Sequence, residues 1–326
     1  MLDRRSLLVS AAAAGSAMTI PASARAQTLP ATSPVEPDRQ APGFYRYKVG
    51  DLMITAINDG VGRRPIDGFI RNAEIEAVHG ALDAAFLPRD NITIPYTTLV
   101  IDRGGKLTLI DTGNGDSGAP TSGLWMTNFR AAGFDPAAVE TVVISHFHGD
   151  HINGLRLKDG TAVFPSAEVL VPEAEWAFWM DDAKMAAAPD GMKGAFQNVR
   201  RVFGPIAGDV KQFKADSEVV PNVTAVAAYG HTPGHTVFAI TSGEGRLMVL
   251  SDTTNHPALF VRNPEWQAIF DMDGDMARET RKRLLDMAAS ERMQVAFYHA
   301  PFPATGHIAR DGEGFAFVPV VWSPII

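Results

Sequence analysis

The chain has 326 residues, with 37 acidic and 29 basic side chains, a net charge of −8 and no cysteine. That composition excludes disulfide staples and thiolate chemistry, and it disfavours a role on the phosphate backbone of nucleic acid. The length allows one large domain or two small ones.

Residues 1–26 read as a secretory signal. Arg4-Arg5-Ser6-Leu7-Leu8 opens a basic region, an apolar run follows to Ile20, and Ala24-Arg25-Ala26 offers a small-residue cleavage site. The paired arginines point to twin-arginine export, and so to a periplasmic or secreted protein. The competing reading is an uncleaved anchor, but the run is short and rich in Ala, Ser and Gly for a spanning helix. Cleavage would leave no membrane segment. It would remove Asp3, Arg4, Arg5 and Arg25, taking the net charge to −10. Residues 27–43 are rich in Pro, Ser and Thr and read as an N-terminal arm. Residues 44–326 read as one domain.

Short apolar or β-branched runs, each ended by Gly, Asp, Asn or Pro, predict strands at Leu52–Ile57, Thr97–Ile101, Lys106–Ile110 and Thr141–Ile144. A second run follows at Glu168–Val171, Val223–Ala227, Thr236–Ile240, Leu247–Leu250 and Gln294–Phe297. Helices are predicted at Gly123–Ala132, Pro172–Ala187 and Asp275–Glu291, the last with Arg281, Lys282 and Arg283 on its exposed face. Lys106-Leu-Thr-Leu-Ile-Asp-Thr-Gly113 is similar to Arg246-Leu-Met-Val-Leu-Ser-Asp-Thr253. The similarity suggests a duplicated half. Two such halves packed sheet to sheet give a four-layer αββα sandwich, an α/β (α+β) fold, with the strand ends meeting along one edge.

Four ligand-type side chains follow one apolar strand within six positions: His146, His148, Asp150 and His151. Such density of imidazole and carboxylate is a metal motif. Extended backbone points His146 and His148 one way; Asp150 and His151 can then serve a second position. His231, Asp252 and His299 each end a later strand. His231 opens His-Thr-Pro-Gly-His, so His235 is the alternative ligand there. Asp252 offers two oxygens and can bridge two cations.

The pattern His146-x-His148-x-Asp150-His151, then His231, Asp252 and His299, resembles the dinuclear metallo-β-lactamase-fold hydrolases. Asp111-Thr112-Gly113 matches that superfamily's first Asp motif. The segments Ala41–Arg46, Gly230–Thr236 and Pro301–Ile308 look more narrowly like methyl parathion hydrolase and its relatives, with acyl-homoserine lactonases more distant. The resemblance implies that His146, His148 and His231 hold one metal, that Asp150, His151 and His299 hold the other, and that Asp252 bridges. It implies zinc, while the nitrogen and oxygen donors also allow manganese, cobalt or iron. His148 stands where redox di-iron members carry a carboxylate, which favours hydrolysis. Asp150 would handle the proton, with Asp111 and His235 orienting ligands from behind.

The same resemblance proposes Trp179 and Phe196, the latter in a Gly-rich loop, as apolar pocket walls; the competing reading places both in the core. It places His307 near the pocket mouth. Asn255 stands three positions after Asp252, where many lactonases carry tyrosine, and is a candidate oxyanion donor; turn chemistry is the alternative. The loop after Gly113 lacks the aromatic found in the parathion enzyme. The expected substrate is a small lactone, ester or phosphotriester, with a homodimer possible and no nucleic-acid partner. A β-lactamase, a thioesterase or a non-catalytic metal-binding protein are the other readings.

Overall fold

Alternation along the strands dictates the layers. In the strand holding Thr97–Ile101, Leu99 and Ile101 face one core while Val100 faces another. Phe238 and Ile240 likewise face inward while Val237 faces outward. Such two-sided apolar strands must be covered on both faces.

The computed structural model describes residues 40–326. The signal expectation on 1–26 and residues 27–39 of the arm lie outside the described residues. Ala41–Ile326 forms one compact unit. Its first sheet runs, in spatial order, β1 (Phe44–Val49), β2 (Leu52–Pro65), β3 (Asn91–Arg103), β4 (Lys106–Ile110), β5 (Val139–Val143), β6 (Glu168–Pro172) and β7 (Lys211–Phe213). The second contains β8 (Glu218–Val220), β9 (Val223–Ala227), β10 (Thr236–Ser242), β11 (Gly245–Ser251), β12 (Gln294–Phe297), β13 (Thr305–Asp311) and β14 (Gly314–Pro319). The helices are α1 (Ile75–Ala84), α2 (Trp125–Ala131), α3 (Gly149–Ile152), α4 (Glu173–Trp179), α5 (Asp182–Ala187), α6 (Asp190–Phe203), α7 (Pro257–Phe260) and α8 (Gly274–Ser290). No helix among the described residues is long and apolar enough to cross a membrane.

Each sheet contains an antiparallel hairpin followed by a parallel neighbour: β3–β4 then β5, and β10–β11 then β12. This repeated topology is what the similar segments at 106–113 and 246–253 predict. Ile54, Leu99 and Ile101 from one sheet meet Phe238, Ile240 and Leu247 from the other in the central core. Outside the first sheet, Phe129 of α2 and Phe196 and Phe203 of α6 pack on Val142 and Val171. Outside the second, Leu284 and Leu285 of α8 pack on Leu250 and Val295. The result is the αββα sandwich. Each fully buried Leu, Ile or Phe contributes about 1.5–3 kcal/mol.

Three local expectations are corrected. Pro172–Ala187 is two helices, because the Asp181 carboxylate accepts the Lys184 amide at 2.9 Å and starts α5 afresh. Phe196 lies inside α6, where Phe196, Val199 and Phe203 form an inner stripe. Gly191 and Gly194 face open space there and do not break the helix. Arg281 is buried at 1% exposure. It stands four residues from both Ala277 and Leu285, on the same inward stripe of α8. Its guanidinium is held by the carbonyls of Thr253, Pro264 and Trp266 and by Asp271.

Candidate metal centre

The centre forms where β4, β5, β11 and β12 end together. Asp111 leaves β4 with φ +61°. Its carboxylate accepts the Ser145 amide and hydroxyl, both at 2.8 Å, and His151 Nδ1 at 2.8 Å. One aspartate thereby fixes both ends of the 145–151 loop and leaves His151 Nε2 free to face inward. Across the site, Asp252 follows Ser251, which has φ +43° beside a register break between β11 and β12. The Asp252 amide donates to His235 Nε2 at 3.1 Å, and His235 Nδ1 donates to the Ala228 carbonyl at 2.8 Å. Both ring nitrogens of His235 are thus occupied. It orients Asp252, while His231 faces the centre.

Two donor groups result: His146, His148, His231 and Asp252, and Asp150, His151 and His299, with ligand atoms in each within 4.8 Å of one another. Asp252 joins them. Its Oδ1 lies 3.1 Å from His151 Nε2, and its Oδ2 lies 2.9 Å from His299 Nε2 and 3.3 Å from His231 Nε2. Asp150 Oδ2 stands 3.6 Å from both His151 and His299. His151 Nε2 and Asp252 Oδ1 are buried without a hydrogen-bond partner. Buried polar atoms are rarely left so. Two such atoms facing each other between imidazoles suit a pair of divalent cations.

Residues 93–299 match the family model of the metallo-beta-lactamase superfamily. The chain belongs to that superfamily. An N-acyl homoserine lactonase from a Bacillus species is 21% identical over 241 residues, 68% of this chain and 87% of the relative. Among solved structures, AidC, a dizinc quorum-quenching lactonase in complex with a product, is 26% identical with a TM-score of 0.81, covering 86% of this chain and 98% of its own. The hydrolase AbOPH, also of the beta-lactamase superfamily, is 26% identical with a TM-score of 0.82, covering 87% and 100%.

Within this superfamily site the imidazoles divide electrostatically. Burial, together with neighbouring imidazoles, holds His146 and His148 well below the ordinary histidine range. Burial opposes charge on His151, His231 and His299 too, but Asp252 and further aspartates outweigh it and raise all three, His231 to about 9. Burial would raise Asp252, yet His299 and His151 hold it well below the usual carboxylate range.

The cavity above the centre has a volume of about 560 Å³. Asn255 lines it beside Tyr96 and Phe270. Trp179 and Phe196 do not. Both are buried at 1% and 0% exposure on the outer face of the first sheet, with ring centroids 4.7 Å apart. An inward helical stripe, not a pocket wall, accounts for them. His307 is also corrected: it lies exposed on β13, paired with Gln294, away from the cavity lining.

Several contributors escaped sequence reasoning. Asp271 Oδ1 bonds His231 Nδ1 at 3.0 Å, and Asp271 Oδ2 bonds Arg281. Tyr298 stacks on His151 at 3.8 Å, and its hydroxyl donates to the Asp150 carbonyl at 2.5 Å. Fully buried Glu175 accepts from the Phe147 and Gly234 amides, the Thr232 hydroxyl and the Trp179 indole at 2.7–2.9 Å. It clamps the His146 and His231 loops to one point. A Cβ on Gly234 would lie 2.2 Å from the Glu175 amide nitrogen, so only glycine permits that approach.

Proposed function

We propose that this chain is a dinuclear metal hydrolase that opens a lactone or cleaves an ester, with two zinc ions held by His146, His148 and His231 and by Asp150, His151 and His299, and with Asp252 between them. The observation that carries this reading is the single carboxylate, Asp252, turned to both donor groups beneath an open cavity. The lactonase relatives support the substrate class.

Two divalent cations, when bound, supply a water acidified towards neutrality and Lewis-acid polarisation of the electrophile. The chain's own residues do the rest. Asp150 is the more open of the two carboxylates, at 23% side-chain exposure against 5% for Asp252. It accepts the proton of the attacking water and returns it to the leaving alkoxide. The Asn255 carbonyl oxygen accepts the His256 amide at 3.0 Å, so its NH₂ is left for an oxyanion in the cavity. Burial holds the Tyr96 phenol up at about 12, so it stays protonated and able to donate. A phosphotriester is the weaker substrate reading, because the aromatic walls proposed for it, Trp179 and Phe196, belong to the core. Export by residues 1–26 belongs to the same proposal.

The test is hydrolysis of N-hexanoyl homoserine lactone and methyl parathion by the zinc-loaded full chain, with metal content measured in parallel. A lactone rate above the phosphotriester rate is expected. Two metals per chain with no cleavage of lactone, phosphotriester or activated ester would overturn the reading.

A further inference from the structure

Part of the cavity lining is cationic. β2 ends in Gly62-Arg63-Arg64-Pro65, and both arginines are exposed along the cavity lining. Neither makes an ion pair or side-chain hydrogen bond to any described residue. The acidic side chains lining the same cavity are Asp150 and Asp252, and both are turned to imidazoles. Gly62 is itself a made opening: a Cβ there would lie 2.3 Å from the Tyr96 hydroxyl, so its absence lets that phenol lie across the strand beside the arginines. Asn114 and Ser117 also line the cavity. Large apolar surface is confined to Ile94, Phe270 and the Tyr96 ring.

A long alkyl chain gains from apolar area, and this lining offers little of it. Guanidinium groups instead match carboxylate and phosphate in charge and in hydrogen-bond geometry. Two arginines without an ion pair to any described residue, on a chain of net charge −8, concentrate anions at that one place. We infer that Arg63 and Arg64 form an anion subsite, and that the preferred substrate is a short ester or lactone whose acyl portion carries a carboxylate or phosphate charge. The substrate half of this inference rests on the proposed hydrolase activity; the subsite itself does not.

The two can be separated. Calorimetric titration of the zinc-loaded full chain with butyrate and with succinate, glutarate and adipate compares one carboxylate with two at several spacings. At least one dicarboxylate should bind about tenfold more tightly than butyrate. Arg63→Gln combined with Arg64→Gln should bring that ratio to about one, while butyrate binding reports an intact centre. Equal affinities throughout the series in the wild type, or an unchanged ratio in the variant, would overturn the subsite. In the kinetic arm, mono-4-nitrophenyl glutarate should be cleaved faster than 4-nitrophenyl butyrate, and added salt should erase the difference. A neutral ester cleaved faster would overturn the substrate class. Cleavage of neither, with the binding ratio intact, would refute hydrolysis and leave the anion subsite supported.

Discussion

Asp271 Oδ1 lies 3.0 Å from His231 Nδ1, on the side of the ring away from the metal centre. The other oxygen of Asp271 meets the buried guanidinium of Arg281 at 3.2 Å and the Ala268 amide at 3.1 Å. A run of contacts thus joins α8 to a ligand. The carboxylate fixes the ring orientation and makes Nε2 the free donor. Asp271→Asn keeps the shape and removes the charge. Zinc affinity, measured by competition with a chelator, should fall about 10- to 100-fold. Unchanged affinity would show that the pairing does not tune His231.

Proton release should accompany metal uptake. Without metal, His151, His231 and His299 are raised above the ordinary value near 6.5, His231 to about 9, because the aspartates around them outweigh burial. A raised imidazole adds stability that is fully present below its unfolded value and is lost as pH climbs through the folded one. Metal needs the neutral ring. Zinc affinity should therefore rise with pH from about 6.5 to about 9, while metal-free stability declines over the same window. Calorimetry near pH 7.5 in two buffers of different ionisation enthalpy measures the protons. A binding enthalpy independent of buffer would contradict the charged state assigned to these rings.

Glu175 offers a stability test away from the ligands. Burial raises its carboxyl, and four donors converge on its two oxygens. Glu175→Gln turns an NH₂ towards two of those donors and leaves at least one unsatisfied. The urea midpoint should drop by the equivalent of about 1–3 kcal/mol. Both the His146 and His231 loops should loosen, so zinc affinity should fall as well. A loss of stability with zinc affinity unchanged would mean that the clamp does not set ligand geometry.

How much of this was legible depends on the range of the interaction. Asp111 and Ser251 occupy matching positions in the two similar segments, at the ends of β4 and β11, and both adopt left-handed backbone, φ +61° and +43°. The repeated pattern of apolar residues revealed that duplication, and the strand-end histidines revealed the centre, because both are local signals. Asp271 and Glu175 were not legible: the ligand loops they hold are distant in sequence, His231 lying 40 residues from Asp271 and Phe147 and Gly234 lying 28 and 59 residues from Glu175, and nothing in Phe-Asp-Met or Ala-Glu-Trp marks them. The strands β1, β13 and β14 were missed because exposed positions interrupt their apolar patterns. The aromatics failed for the opposite reason. Trp179 and Phe196 have the chemistry of a pocket wall, but helical periodicity turns both inward.

That last distinction can be measured with two substitutions. Phe196→Ala opens a hole in a buried cluster and should cost about 3–5 kcal/mol of stability. KM for a lactone should be little changed in the surviving folded protein, since Phe196 does not line the cavity. Asn255→Ala should act in reverse. Its amide is placed towards the cavity by the 3.0 Å bond between its own carbonyl oxygen and the His256 amide. Loss of an oxyanion donor lowers kcat by about 10²–10³. The melting temperature should move little, because His256 keeps its other anchor, with its ring accepting the Ala258 amide at 3.3 Å. A large KM effect at Phe196 with stability intact would return that residue to the pocket. A kcat unaltered by Asn255→Ala would leave Tyr96 as the donor to test next, by Tyr96→Phe.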